Sequence, residues 1–415
     1  MDNNNNRVYA NRCIAPAFGM GPLSGKIAAM RFDFSSLLSL LIVIMIGGFF
    51  FSEAGVKSAY ICFSIGHRII IPLMLIGLIV SCTKGKRLVL GFELKLLAVL
   101  LASIVLLSIL FSMSAGGIEN SYLWDGLFYL AWPAVLAFCV ANLFKAHQIK
   151  NMMVGILAVA VTAYIIDLQS RGLFSPGGLS SVSFSDSYSP YESSPFSGIS
   201  FALAAYFCYF NRSKYCQVIA VLFCFMTFKR VFLLLLPVLI LVGMLKKFAE
   251  GTPYRKLWLI AAVGTIFCSI AYCVFLLPGN TSIFEQVLND YFGVGVYDFT
   301  MGRDTQLYAL VASGFRSSGY MSSLMWVNGY VEMEYCRIYL ELGFLGVCVF
   351  ALYFWAVARR GNYAMLFMLG LTINLIASWS LSSFVGWFVS YVVLYSTQLY
   401  SKDLSTRYKG TEVEP

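Results

Sequence analysis

Charge is scarce in this chain: only 12% of its 415 residues are Asp, Glu, Lys or Arg, against about a quarter in an ordinary soluble domain. So little charge cannot cover a water-facing surface, which excludes a soluble globular protein. Histidine is scarcer still, with His67 and His147 alone. No loop offers a spaced cysteine pair either, so neither a zinc site nor a disulfide framework can be read from the sequence. There is no glycine spacing for a phosphate loop, no Asp-x-Asp pair for a divalent metal and no convincing internal repeat. No metal and no cofactor are therefore expected. A transporter built from two related halves around a midplane site is disfavoured.

Hydrophobic residues make up 59% of the chain. The runs 37–51, 96–113 and 257–277 are long and apolar without the alternation of a barrel strand, so they read as helices. Twelve candidate spans follow: 35–52, 61–82, 94–113, 123–143, 151–168, 197–210, 215–228, 231–245, 257–277, 337–357, 363–379 and 384–400. The expected fold is all-α, a polytopic bundle over 35–400 between a tail at 1–34 and a tail at 401–415. The first thirty residues are polar and Asn-rich, and the first apolar run ends without a cleavage pattern, so this start reads as uncleaved. Most of the cysteines sit inside the apolar runs as small hydrophobes.

With the N-terminus inside, the cytoplasmic connections hold Lys84, Lys86, Arg87, Lys145, Lys150, Arg212, Lys214, Lys246, Lys247, Arg255, Lys256, Arg359 and Arg360. This agrees with the positive-inside rule. The net charge of +9 is then an orientation signal that needs no nucleic-acid partner. Two external segments stand out, 169–196 and 278–335.

In the larger one, Ile283, Phe284, Val287, Leu288, Tyr291 and Phe292 are spaced as one face of an amphipathic helix. A glycine-rich approach at Gly293, Gly295 and Gly302 leads to Arg303. From Asp304 to Phe315 the pattern is helical again, with Asp304 as N-cap and Gly314 as stop. An arginine at the start of a helix can hold a phosphate or diphosphate; the plainer reading pairs it with a nearby acid such as Asp298. Arg316 is similar. Glu332, Glu334, Arg337 and Glu341 then enter the tenth span, the last three on one helical face. They read either as a satisfied ion-pair face or as a carboxylate held as general base. The shorter segment carries Arg171 and Glu192 among serines and aromatics, with Asp167 placed to pair with Arg171; a carbohydrate surface or a linker would look alike.

Twelve spans, two external loops, the pair Gly302–Arg303, the Arg303-x10-Gly314 spacing and the run Glu341-Leu-Gly-Phe-Leu-Gly346 together resemble the Wzy-type polysaccharide polymerases of the O-antigen ligase and polymerase superfamily. The mirrored motif of the shorter loop is absent, since Val182 stands where Arg171 would require glycine. The large-loop histidine typical of ligases is also absent. The resemblance implies a bacterial inner-membrane glycosyltransferase that joins repeat units carried on undecaprenyl diphosphate, on the periplasmic side, with a chain-length regulator as a partner besides membrane lipids. It implies Arg303, Glu334 and Glu332 as catalytic. Arg316, Arg171, Lys229, Arg230, Glu192 and Arg337 would bind diphosphate or glycan. A ligase-like enzyme and a flippase of lipid-linked oligosaccharide, using polar residues such as Glu93, Lys95, Asp125 and Asp167, are the alternatives.

Overall fold

Lipid cannot hydrogen-bond a bare peptide group, and a helix meets that constraint within one segment. The computed structural model describes residues 34–86, 88–173, 194–210, 213–249, 251, 256–327, 331–377, 381 and 383–411, with side chains to Leu399. Every regular element among the described residues is helical. In chain order these are α1 (Phe34–Glu53), α2 (Tyr60–Thr83), α3 (Gly91–Ser114), α4 (Leu123–Leu143), α5 (Ala146–Ser170), α6 (Ser194–Phe210), α7 (Lys214–Met226), α8 (Arg230–Met244), α9 (Lys246–Ala249), α10 (Leu257–Leu276), α11 (Thr281–Phe292), α12 (Val296–Thr300), α13 (Arg303–Ala312), α14 (Glu334–Ala358), α15 (Asn362–Ala377) and α16 (Phe384–Thr411).

Each of the twelve predicted segments falls on one of these helices. Seven of them, α1 to α5, α10 and α14, are long and apolar enough to cross a bilayer. The other five, α6, α7, α8, α15 and the apolar part of α16, are shorter, at 10–17 residues. Residues 1–33 of the expected tail at 1–34, residues 412–415 of the expected tail at 401–415 and most of the shorter external segment, with Glu192, lie outside the described residues, whereas 401–411 continue α16 as helix.

The long helices turn large apolar side chains outward. Ile61, Ile65, Ile69, Ile76 and Ile79 line α2, and Val99, Leu106, Ile109, Leu110 and Met113 line α3, all exposed. In water such stripes would drive aggregation; hydrocarbon removes that cost. Helix α6 is the opposite case, buried on every side from Phe196 to Tyr209, as expected of a helix apolar all round. Its Phe201 stacks on Phe232 of α8 at 4.3 Å, and a Cβ on Gly370 of α15 would stand 2.7 Å from the same ring.

Contacts at helix termini sort the connections onto two ends of the bundle. At one end Arg360, after α14, reaches Glu93 in the first turn of α3 at 3.0 Å. Asn142, at the end of α4, accepts the Val89 amide at 2.7 Å, and Asn362 donates to the Phe248 carbonyl at 2.8 Å. Lys84, Lys86, Lys145, Lys246, Lys247 and Arg359 belong to these connections. At the other end Asn120, between α3 and α4, donates to the Tyr320 carbonyl at 2.7 Å, and Phe50 of α1 stacks on Phe196 of α6 at 5.1 Å. The described residues of the segment, 278–327 and 331–333, sit at this second, less basic end.

Candidate functional site

A second, smaller core sits beneath the segment between α10 and α14. Leu288 of α11, Val296 of α12, Leu307 and Leu310 of α13, Val331 and Met333 pack on Cys273 and Leu276 of α10 and Cys336 of α14. The predicted amphipathic helix is α11. It buries Leu288 and stacks Phe284 on Phe275 at 5.6 Å, while Ile283, Val287, Tyr291 and Phe292 stay exposed.

Arg303 is set by an abrupt turn. Met301 and Gly302 both adopt left-handed backbone, φ 57° and 75°, after which α13 starts at Arg303 itself. A Cβ on Gly302 would press on the Tyr297 ring at 3.1 Å. The expected N-cap at Asp304 is therefore corrected to Gly302. A left-handed residue in that place suits glycine, and Asp304 instead occupies the first turn, where a carboxylate meets the positive end of the helix. Its Oδ1 accepts Thr300 Oγ1 at 2.6 Å. The helix ends at Ala312, short of Phe315, and Gly314 follows at φ 75°. The Arg-x10-Gly spacing is thus the length of one helix, from its first residue to the left-handed glycine beyond its C-cap.

The acid that Arg303 meets is Glu332. Nε donates to Glu332 Oε2 at 2.7 Å, and Nη1 donates to the Thr300 carbonyl at 3.1 Å. Gln306 Oε1 accepts the Glu332 amide at 3.3 Å. The arginine side chain is 15% exposed and the glutamate 44%. A guanidinium and a carboxylate therefore stand side by side, the carboxylate half-exposed and the guanidinium largely covered.

Glu334, Arg337 and Glu341 do share one face of α14, and they form a fully buried cluster. Arg337 bonds Glu334 and, through Nη1, Glu341 at 2.9 Å. The other Glu334 oxygen accepts the Leu381 amide at 3.1 Å. Glu341 accepts the Met321 and Ser323 amides at 2.8 and 3.0 Å and the Ser323 hydroxyl at 2.5 Å. Tyr320 lies under the guanidinium, 4.9 Å from ring centre to Cζ. Burial pushes its hydroxyl well up from the ordinary phenol range, with Arg337 opposing, so it stays protonated. The cluster's chief partner is thus the segment 317–323, docked by Tyr320 N to Ser108 Oγ at 3.1 Å and by Asn120.

Glycine makes this docking sterically feasible. Gly319 has φ 109°, and a Cβ there would stand 2.5 Å from Ser108 Cβ. Gly343 breaks α14 two residues after Glu341, at φ 64° and ψ −165°, a conformation open essentially to glycine alone. Ser317 Oγ donates to the Glu341 carbonyl beside this break. Gly319→Ala and Gly343→Ala are each expected to cost about 1–3 kcal/mol, read as a lower melting midpoint of the purified protein in detergent.

The remaining predicted residues are dispersed. Arg171, at the C-cap of α5, pairs with Asp167 at 3.0 Å as its spacing suggested. Lys229 is buried at the N-cap of α8 and Arg230 opens that helix. The Met226 carbonyl at the end of α7 accepts the Tyr164 hydroxyl at 2.7 Å, one turn before Asp167, so that turn shares the end of the bundle with Arg171. Arg316 is exposed and has no ion pair among the described residues. Arg337 is enclosed by its own partners, and Glu334 has no exposed surface. Sequence reasoning missed Tyr320, Ser323, Ser108 and Asn120, whose contacts no local spacing announces.

No protein-family model, no curated protein and no solved structure matches this chain. Nor do the described residues hold a group of His, Cys, Asp or Glu fit for a metal ion.

Proposed function

We propose that the chain is a bacterial inner-membrane polysaccharide polymerase with twelve spans, whose segment 278–335 lies on the periplasmic side. In this reading it joins oligosaccharide repeat units carried on undecaprenyl diphosphate. The observation that carries it is the pairing of Arg303 with half-exposed Glu332 at 2.7 Å, on a helical cap over the end of the bundle opposite the basic connections. Charge at the first end argues for the orientation, and α11, with its exposed apolar residues, suits the membrane interface.

The chemistry follows from that pair. A diphosphate competes for the Arg303 fork, which matches phosphate oxygens bidentately, and Arg316 is a second cation for it. Glu332, released from its partner, accepts the proton of the acceptor hydroxyl as the hydroxyl oxygen attacks the anomeric carbon. The bond from that carbon to the diphosphate breaks, and its negative charge develops against Arg303. Glu334 is then a positioning residue that holds Arg337, not the base. Deletion of the gene in its host tests the reading. A surface glycan reduced to one anchored repeat supports it; long lipid-linked chains that never reach the anchor would indicate a ligase, and single repeats trapped in the cytoplasm a flippase.

A further inference from the structure

Two cysteines stand at the feet of the cap that carries Arg303 and Glu332. Cys273 lies three residues before the end of α10, and Cys336 is the third residue of α14. All of 278–333 falls between them in sequence. Across the two helices the Cys273 Sγ stands 4.0 Å from the Cys336 carbonyl oxygen, and the two thiols also meet side chain to side chain. Both are wholly buried, in the same small core as Leu288, Val296, Leu307, Leu310, Val331 and Met333.

Burial alone does not set this pair apart, since Cys139, Cys208 and Cys224 are buried in the main core of the bundle as small hydrophobes. What differs is the length of chain that the pair encloses and how little else holds it. Cys273 and Cys336 are 63 positions apart, and a core of so few side chains rarely secures a segment of that length by itself. Small units in oxidising compartments are held by disulfides instead. A bond across a long loop also takes much conformational freedom from the unfolded chain.

We propose that Cys273 and Cys336 are joined by a disulfide in the mature protein, which ties α10 to α14 and closes the base of the cap. The proposal rests on the placement of 278–335 outside the cytoplasm, because cytosolic thiols are kept reduced. The step is exchange with the disulfide of a thiol oxidoreductase. One cysteine, as thiolate, attacks a sulfur of that disulfide, whose own S–S bond breaks; the second cysteine then displaces the oxidoreductase from the mixed disulfide. Two protons and two electrons leave the pair, and the oxidant departs as a dithiol. Neither sulfur is exposed in the folded protein, so exchange precedes closure of the cap, and the finished bond is shielded from reductants.

The test uses the full chain purified from host membranes without reductant, denatured in an alkylating agent and digested for mass spectrometry. A peptide pair linked through Cys273 and Cys336, and separated by prior reduction, is expected. Both cysteines found alkylated without prior reduction overturns the proposal. Melting in detergent gives a second readout: reductant should lower the midpoint of the unsubstituted protein by several degrees and leave that of the double variant Cys273→Ala, Cys336→Ala where it was. Should that variant fail to fold, the linked peptide decides. The placement is read separately, by labelling Tyr291→Cys, at an exposed position of α11, with a membrane-impermeant maleimide on spheroplasts. Labelling above that of the unsubstituted protein, with Cys273 and Cys336 alkylated, removes the disulfide alone; no added labelling removes the placement as well.

Discussion

Arg337→Leu is expected to cost about 3–5 kcal/mol of stability, because it leaves buried carboxylates without their counter-charge. Glu334 and Glu341 have no exposed surface and cannot turn to water without pulling α14 away from 317–323. The consequence is more than a lost ion pair. Glu341 holds the Met321 and Ser323 amides, so the docked segment loosens with it. Arg337→Lys should recover little, since an ammonium cannot present the fork that spans two carboxylates. Replacing all three, as Glu334→Gln with Arg337→Met and Glu341→Gln, should recover more than either single change, because no charge is then left to desolvate. Melting in detergent reads these differences. An Arg337→Leu protein that melts like the unsubstituted chain would show that the cluster does not hold this end together.

Arg303→Ala is expected to abolish polymer while leaving protein level and melting nearly unchanged. Its pair with Glu332 is partly exposed, and such pairs contribute about 0–1 kcal/mol to stability. In a transition state that releases a diphosphate, one well-placed donor contributes roughly 10²–10³ in rate. Arg303→Lys keeps the charge without the fork and should restore short chains only. Glu332→Gln should match Arg303→Ala in glycan length, whereas Glu334→Gln should instead lower the melting midpoint. Gel separation of the surface glycan checks each variant, and chains of ordinary length in Arg303→Ala would remove Arg303 from the chemistry.

Much of this architecture can be read from local pattern. Apolar length locates twelve helices, and the spacing of 334, 337 and 341 gives their shared face, because both are one-dimensional properties of a helix. The motif from Arg303 to Gly314 is likewise one helix with its terminating glycine, though its N-cap is misread, since nothing local says that Met301 and Gly302 turn left-handed. What spacing cannot give is the partner across the fold. Tyr320 meets Ser108 over 212 residues and Asn120 over 200, and Glu332 meets Arg303 over 29.

The central claim is tested most directly with the purified protein and an undecaprenyl-diphosphate-linked repeat unit as sole substrate. The account predicts a ladder of lipid-linked products growing by whole repeats, absent with Arg303→Ala. Repeat units that stay single with the intact, folded protein would contradict it.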